Sequence, residues 1–191
     1  KRSEKYKKII KSVRSELNRV YGQFWFNQKS FKQRNFNDEL YKRIFSITKK
    51  PKTLLDISCG LDPLKYKDKS IKYVVTELTK VDCAFLEDYL KQNKFKFEVI
   101  QLDLKDFKKL PEGDVGFLFR ILDVLKDKKL AEKIVKELDV KFLVVSFSLI
   151  TIRNKKMEFP FYPWFEKMLN RLKLKYQKLL YPSEIFYVIK K

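Results

Sequence analysis

Histidine is absent from the 191 residues, which removes the side chain most often used for proton transfer near neutrality and the commonest zinc ligand. Cysteine occurs twice, as Cys59 and Cys83, with neither a metal-ligand spacing nor a framework of pairs. No metal is expected, and a reducing cytoplasm is the expected compartment. Glycine is limited to Gly22, Gly60, Gly113 and Gly116. Neither the G-x-G-x-x-G turn of dinucleotide sites nor a P-loop can be built from these four, so pyridine nucleotide chemistry and ATP or GTP hydrolysis lose their usual cradle. Long apolar runs are missing too. Nothing approaches the roughly 20 residues of a spanning helix, and no signal peptide or lipidation motif is visible, so no membrane partner is expected.

Acidic residues are scarce relative to basic ones, 24 against 44, for a net charge of +20. Such an excess points to a polyanion, with nucleic acid the expected partner. A coding bias toward lysine would scatter the charge, yet residues 1–52 hold sixteen basic and four acidic side chains. With 45% hydrophobic residues the chain is too apolar for disorder and long enough for one main domain, expected as a monomer.

Between Ser3 and Val20 the positions Tyr6, Ile9, Ile10, Val13, Leu17 and Val20 repeat at helical spacing. Lys5, Lys8, Lys11 and Arg14 fall mostly on the opposite face. A second helix is predicted from Asn37 or Asp38 to about Thr48, ending before Pro51. Residues 1–52 thus read as a basic helical RNA-binding extension. From Thr53 onward apolar, β-rich runs at 53–57, 73–77, 97–103, 114–119 and 141–147 alternate with helical patterns at 81–93, 126–137 and 162–171. That alternation predicts an α/β fold with a parallel sheet. Runs at 174–181 and 184–190 around Pro182 and Ser183 predict a terminal antiparallel hairpin.

In such sheets a ligand lies beyond the carboxyl ends of the strands. Asp56, Glu77 and Asp103 fall at the first three ends. An acid at the second can accept hydrogen bonds from two ribose hydroxyls, and one at the third, with Leu104 beside it, can meet an adenine amino group. The pattern suits an adenosine-containing cofactor. Arg120 closes the fourth strand, where it can hold a phosphate or a guanine edge or pair with Asp123. The run Phe159-Pro-Phe-Tyr-Pro-Trp-Phe165 follows Arg153, Lys155 and Lys156, interleaving rings with charge as base-stacking surfaces do. Phe161 and Trp164 are the stacking candidates, with burial over the core the competing role.

Leu54-Leu-Asp-Ile-Ser-Cys-Gly60 resembles the first motif, D/E-x-G-x-G, of Rossmann-like S-adenosylmethionine-dependent methyltransferases, with Ser58 replacing the first glycine. The segments LLDISCGLDPL, YVVTELTK, DVGFLFRILDVL and VVSFSLITIRNKKMEFPFYPWFEKML together resemble a narrower group. These are the aminoglycoside-resistance methyltransferases that modify guanine N7 in the decoding region of small-subunit rRNA. Gly60, Pro63 and Leu64 match their G-x-x-P-L, and Val145, Ser146 and Phe147 match their Val-Ser-Phe. Their Pro-Thr-Arg or Pro-Thr-Lys continuation is replaced here by Ser148, Leu149 and Ile150, with Arg153 the nearest cation.

The resemblance implies a class I methyltransferase sheet over residues 53–191 and S-adenosylmethionine as cofactor. Asp56, Ser58, Cys59, Gly60, Glu77, Asp103 and Leu104 would form the cofactor site. Arg120, Phe147, Arg153 and Trp164 would stand at the reacting end, and Lys5, Lys8, Lys11, Arg14, Lys155 and Lys156 on RNA. Two alternatives remain open from the residues alone: another RNA or protein acceptor, and a degenerate Rossmann domain that binds RNA without turnover.

Overall fold

A computed structural model describes residues 38–58, 68–150, 157 and 159–191. The predicted Ser3–Val20 helix lies outside them. The described residues belong to one compact unit.

Helix α1 (Asp38–Thr48) precedes a seven-stranded sheet: β1 (Thr53–Ile57), β2 (Lys72–Glu77), β3 (Lys96–Gln101), β4 (Gly113–Phe119), β5 (Val140–Ser148), β6 (Lys175–Leu180) and β7 (Glu184–Lys190). The remaining helices are α2 (Lys80–Gln92), α3 (Ile121–Leu125), α4 (Lys128–Glu137) and α5 (Pro163–Arg171). The strand order is β3-β2-β1-β4-β5-β7-β6. Strands β1 to β5 run parallel, and β7 is antiparallel to both β5 and β6. The amino end of β7 therefore reaches the same edge as the carboxyl ends of the parallel strands.

The continuous apolar runs split by period-two alternation between two buried faces. Leu55, Ile57, Leu118, Leu143, Val145 and Tyr187 point to one, where Ile134 and Val135 of α4 and Phe165 and Leu169 of α5 cover them. Leu54, Val75, Phe117, Val144 and Phe186 point to the other, beneath Leu40 and Ile44 of α1 and Leu86 and Leu90 of α2. Helix α1 thus belongs with the sheet, and the predicted boundary at residue 52 divides what packing joins. A side chain at Gly116 would meet Val140 Cγ1 at 3.2 Å, so the glycine marks a close approach between neighbouring strands.

Most predicted element boundaries fall within one residue of those observed, and two differ by more. The helix predicted from residue 126 starts instead at Lys128, because Lys126 ends the unpredicted short helix α3 at φ 52° and Asp127 caps α4 by accepting from the amides of Lys129 and Leu130. Strand β3 stops at Gln101. Asp103 lies two residues beyond it, its Oδ1 accepting from Lys105 N at 2.8 Å.

At the opposite edge Asp114 ties three segments together. Its Oδ2 accepts from the amides of Lys52 and Thr53, both at 3.0 Å, and its Oδ1 from Lys141 Nζ at 2.8 Å. The Lys141 hydrogen bond, followed by the amide of Thr53, holds the carboxyl below its ordinary range. A depressed carboxyl stabilises the fold above its unfolded pKa, and that stability is lost as the pH falls through the folded value. Asp114→Asn is expected to cost about 1–2 kcal/mol at neutral pH. In thermal unfolding measured against pH, the gap to wild type should close in acid; a constant gap would assign the loss to geometry alone.

Candidate active site at the carboxyl edge of the sheet

Three strand ends build the first half of the site. Asp56 is 4% exposed near the end of β1, in register with Val75 of β2 and Phe117 of β4. Glu77 ends β2 at 5% exposure. Leu102 N donates to Glu77 O at 2.9 Å, and Leu78 N approaches the Glu77 carboxylate at 3.3 Å. Ser58 follows β1 at φ 52° and donates its amide to Thr76 Oγ1 at 3.0 Å. The left-handed backbone there accounts for the glycine preference of the motif, since a side chain in that region is strained.

Cys83 sits in the first turn of α2 with its thiol 3.7 Å from Glu77 O. Burial pushes its pKa up, despite the hydrogen bond to that carbonyl, so it is no ready nucleophile.

Asp103 is exposed and spends one oxygen on its own turn. Leu104 is 4% exposed within the core, which leaves its backbone, and not its side chain, for any ligand. Cys59 and Gly60 lie outside the described residues, as do Arg153, Lys155, Lys156, Lys5, Lys8, Lys11 and Arg14.

The second half lies where β4, β5 and β7 meet. Arg120 follows β4 at φ 60° and donates its amide to Ser146 O at 3.0 Å. Its guanidinium stands 4.0 Å from Glu184 Oε1; the arginine side chain is 27% exposed and the glutamate 2%. Ser146 Oγ donates to Glu184 Oε2 at 2.7 Å.

Asp123, in α3, accepts from Ser148 N at 3.3 Å and Tyr162 Oη at 3.4 Å. Burial raises its pKa, against the lowering pull of the Ser148 amide and of the Arg120 charge. Tyr162 Oη also donates to Ser148 O at 2.6 Å, and burial raises the phenol further, beyond the range in which it could lose its proton.

Glu184 and Tyr162 were not singled out as site residues in the sequence. The available signal was an acid opening the otherwise apolar run EIFYVIK, which places a charge inside the core unless it has partners.

Phe147 and Trp164 change role. Phe147 is fully buried, stacked on Tyr162 at 4.2 Å and edge-on to Trp164, Phe165 and Tyr187. It supports the site from beneath and does not line it. Trp164 is half-buried, packed on Phe147 and Phe165 with Lys128 Nζ 5.9 Å from its ring centroid. A groove of about 1050 Å³ opens at the other edge, beside Thr53, Asp114 and Lys141, remote from both halves of the site.

Strand order, the single antiparallel strand beside β5 and the acids ending β1 and β2 are the arrangement of class I S-adenosylmethionine-dependent methyltransferases. The likeness extends to solved structures. The 16S rRNA methylase RmtB superposes with a TM-score of 0.72 at 20% identity, covering 97% of this chain and 83% of that one. The 16S rRNA methyltransferase RmtF in complex with S-adenosyl-L-homocysteine gives 0.64 at 16%, covering 81% and 61%.

Residues 9–184 match the FmrO ribosomal RNA methyltransferase family, and the chain belongs to it. A 16S rRNA (guanine(1405)-N(7))-methyltransferase of Serratia marcescens is 27% identical over 159 residues, 81% of this chain and 63% of that protein. The chain thus spans somewhat under two thirds of that relative. Among the described residues, no helix is long and apolar enough to cross a membrane.

Proposed function

We propose that the chain is an S-adenosylmethionine-dependent methyltransferase acting on small-subunit rRNA, with guanine N7 the acceptor and the cytoplasm its place of action. The observation that carries this reading is the pair of buried acids, Asp56 and Glu77, ending adjacent parallel strands in a chain of this family. S-adenosylmethionine supplies an activated methyl group on a sulfonium when bound. Glu77 fits its ribose: a carboxylate beside the amide of Leu78, at the end of β2, can accept from both hydroxyls.

Guanine N7 carries a lone pair and no proton, so its methylation needs alignment and exclusion of water without a general base. The residues at the second half suit that demand. Tyr162 keeps its phenol proton, half-buried Asp123 is engaged by Ser148 N and Tyr162 Oη, and Arg120 offers a planar donor fork able to grip a phosphate or a guanine edge. Lys5, Lys8, Lys11, Arg14, Lys155 and Lys156 are proposed to meet RNA phosphates, which position the substrate without specifying the base.

The test is transfer of labelled methyl from S-adenosylmethionine to small ribosomal subunits, followed by mass mapping of the rRNA. A new methylguanine is expected; label in another base or in protein would move the acceptor, and no label would leave an RNA-binding domain. Glu77→Ala is expected to weaken cofactor binding by about 1–3 kcal/mol in calorimetry. Unchanged affinity would place the ribose elsewhere.

A further inference from the structure

Seven large apolar side chains among the described residues are more than a third exposed, and three of them, Met157, Phe159 and Phe161, sit on the connection between β5 and α5. Phe159 is 59% and Phe161 38% exposed, their ring centroids 5.8 Å apart and roughly edge to face. Most other described rings pack into the two layers flanking the sheet, Phe85 at 53% exposure being an exception, and holding Phe159 and Phe161 in water adds nothing to folding.

The described ends of this connection are anchored. Leu149 N donates to Ser183 O and Met157 N to Leu149 O, both at 2.8 Å. Tyr162 Oη donates to Ser148 O at 2.6 Å, and Tyr162 N to Tyr187 Oη at 3.1 Å. Pro160 and Pro163 each fix one backbone torsion on either side of Phe161 and Tyr162. Because Tyr162 is pinned to the carboxyl end of β5, the two rings before it stand at the edge that carries Arg120.

We propose that Phe159 and Phe161 form a wedge that enters the RNA and stacks on the bases flanking the target nucleotide, taking the place it leaves when it is drawn into the site. This rests on the reading of the chain as an rRNA methyltransferase. A guanine stacked inside a helix offers its N7 to the groove but cannot be gripped on its faces, and extruding it costs stacking that an inserted ring restores. Every base has a π face, so two rings suffice without sequence readout. The neighbouring charge has the sign RNA requires: Lys126, Lys128 and Lys129 are exposed around the start of α4, and Lys128 lies over Trp164, itself joined to this loop through Pro163.

The experiment measures methyl transfer to small ribosomal subunits by Phe159→Ala, Phe161→Ala, Phe161→Leu and Phe161→Tyr, with S-adenosylmethionine affinity and thermal midpoint measured alongside. Both alanine variants should lose about tenfold or more in kcat/KM with cofactor affinity and midpoint unchanged, as suits exposed side chains. Tyrosine should restore transfer and leucine should not, since leucine is apolar but has no stacking face. Neutral alanine variants, or full rescue by leucine, would overturn the wedge, the latter in favour of an apolar protein contact. A wild-type chain that labels no rRNA would instead overturn the function on which the wedge depends.

Discussion

Phe147→Ala is expected to lose about 3–5 kcal/mol of stability, the cost of removing a fully buried ring and leaving its cavity. Four aromatic neighbours define that cavity, Tyr162, Trp164, Phe165 and Tyr187. They are fixed in turn, Tyr162 by Ser148 O and Tyr187 by Glu166 Oε1, so the hole cannot close by a simple rotation. For a domain of this size the midpoint should fall by roughly 10 °C. Phe147→Leu, which keeps most of the volume, should lose far less. Chemical denaturation and a thermal melt would measure both. A Phe147→Ala protein that melts like wild type yet transfers no methyl would return this ring to the reacting face, where sequence resemblance had placed it.

Arg120→Ala carries the second large effect, for a different reason. Glu184 is nearly inaccessible and gains from the nearby guanidinium, so the truncation leaves a buried carboxylate with one cation fewer. Removing one partner of a fully buried pair costs about 3–5 kcal/mol; with Arg120 partly exposed and 4.0 Å away, about 2–3 kcal/mol is the expected loss. The Ser146 hydrogen bond survives in Glu184→Gln, which removes the charge. In the Arg120→Ala background that second change should therefore recover part of the stability, whereas on its own it should be destabilising. Methyl transfer should fail in both Arg120→Ala proteins, because restored stability does not restore the donor fork. Additive losses in this double-mutant cycle would show that the two side chains do not sense each other.

The sheet was largely legible because each strand announces itself by an apolar run with clear stops. Thr53–Ile57 and Glu184–Lys190 match the predicted bounds, and Asp38–Thr48 matches one of the two predicted starts. The break between α3 and α4 was not legible. It depends on Lys126 adopting positive φ, and lysine gives no sign of doing so. Asp56 and Glu77 could be read as site residues because a strand end determines where they emerge. Asp103 could not be placed so surely, since two residues past the strand its own turn claims the carboxylate.

Phe147 and Leu104 were drawn toward the site by their neighbours in sequence, when β5 is buried on both faces at Phe147 and the turn after β3 packs Leu104 into the core. Glu184 was missed because its partners, Arg120 and Ser146, are distant in the chain and meet it only through the antiparallel entry of β7.

Among the described residues, that same strand order leaves β3 and β6 as the two margins of the sheet. Unpaired backbone along a margin invites a further strand, from another copy or from a chain still folding. Here β6 presents exposed Lys175 and Lys178, and β3 exposed Lys96 and Glu98, while the whole chain carries +20. Adding a lysine-bearing strand at β6 would crowd like charge, and adding one at either margin would strip water from lysine side chains. The lysine surplus thereby works against self-association at the sheet's margins, and neutralising these lysines is expected to favour it.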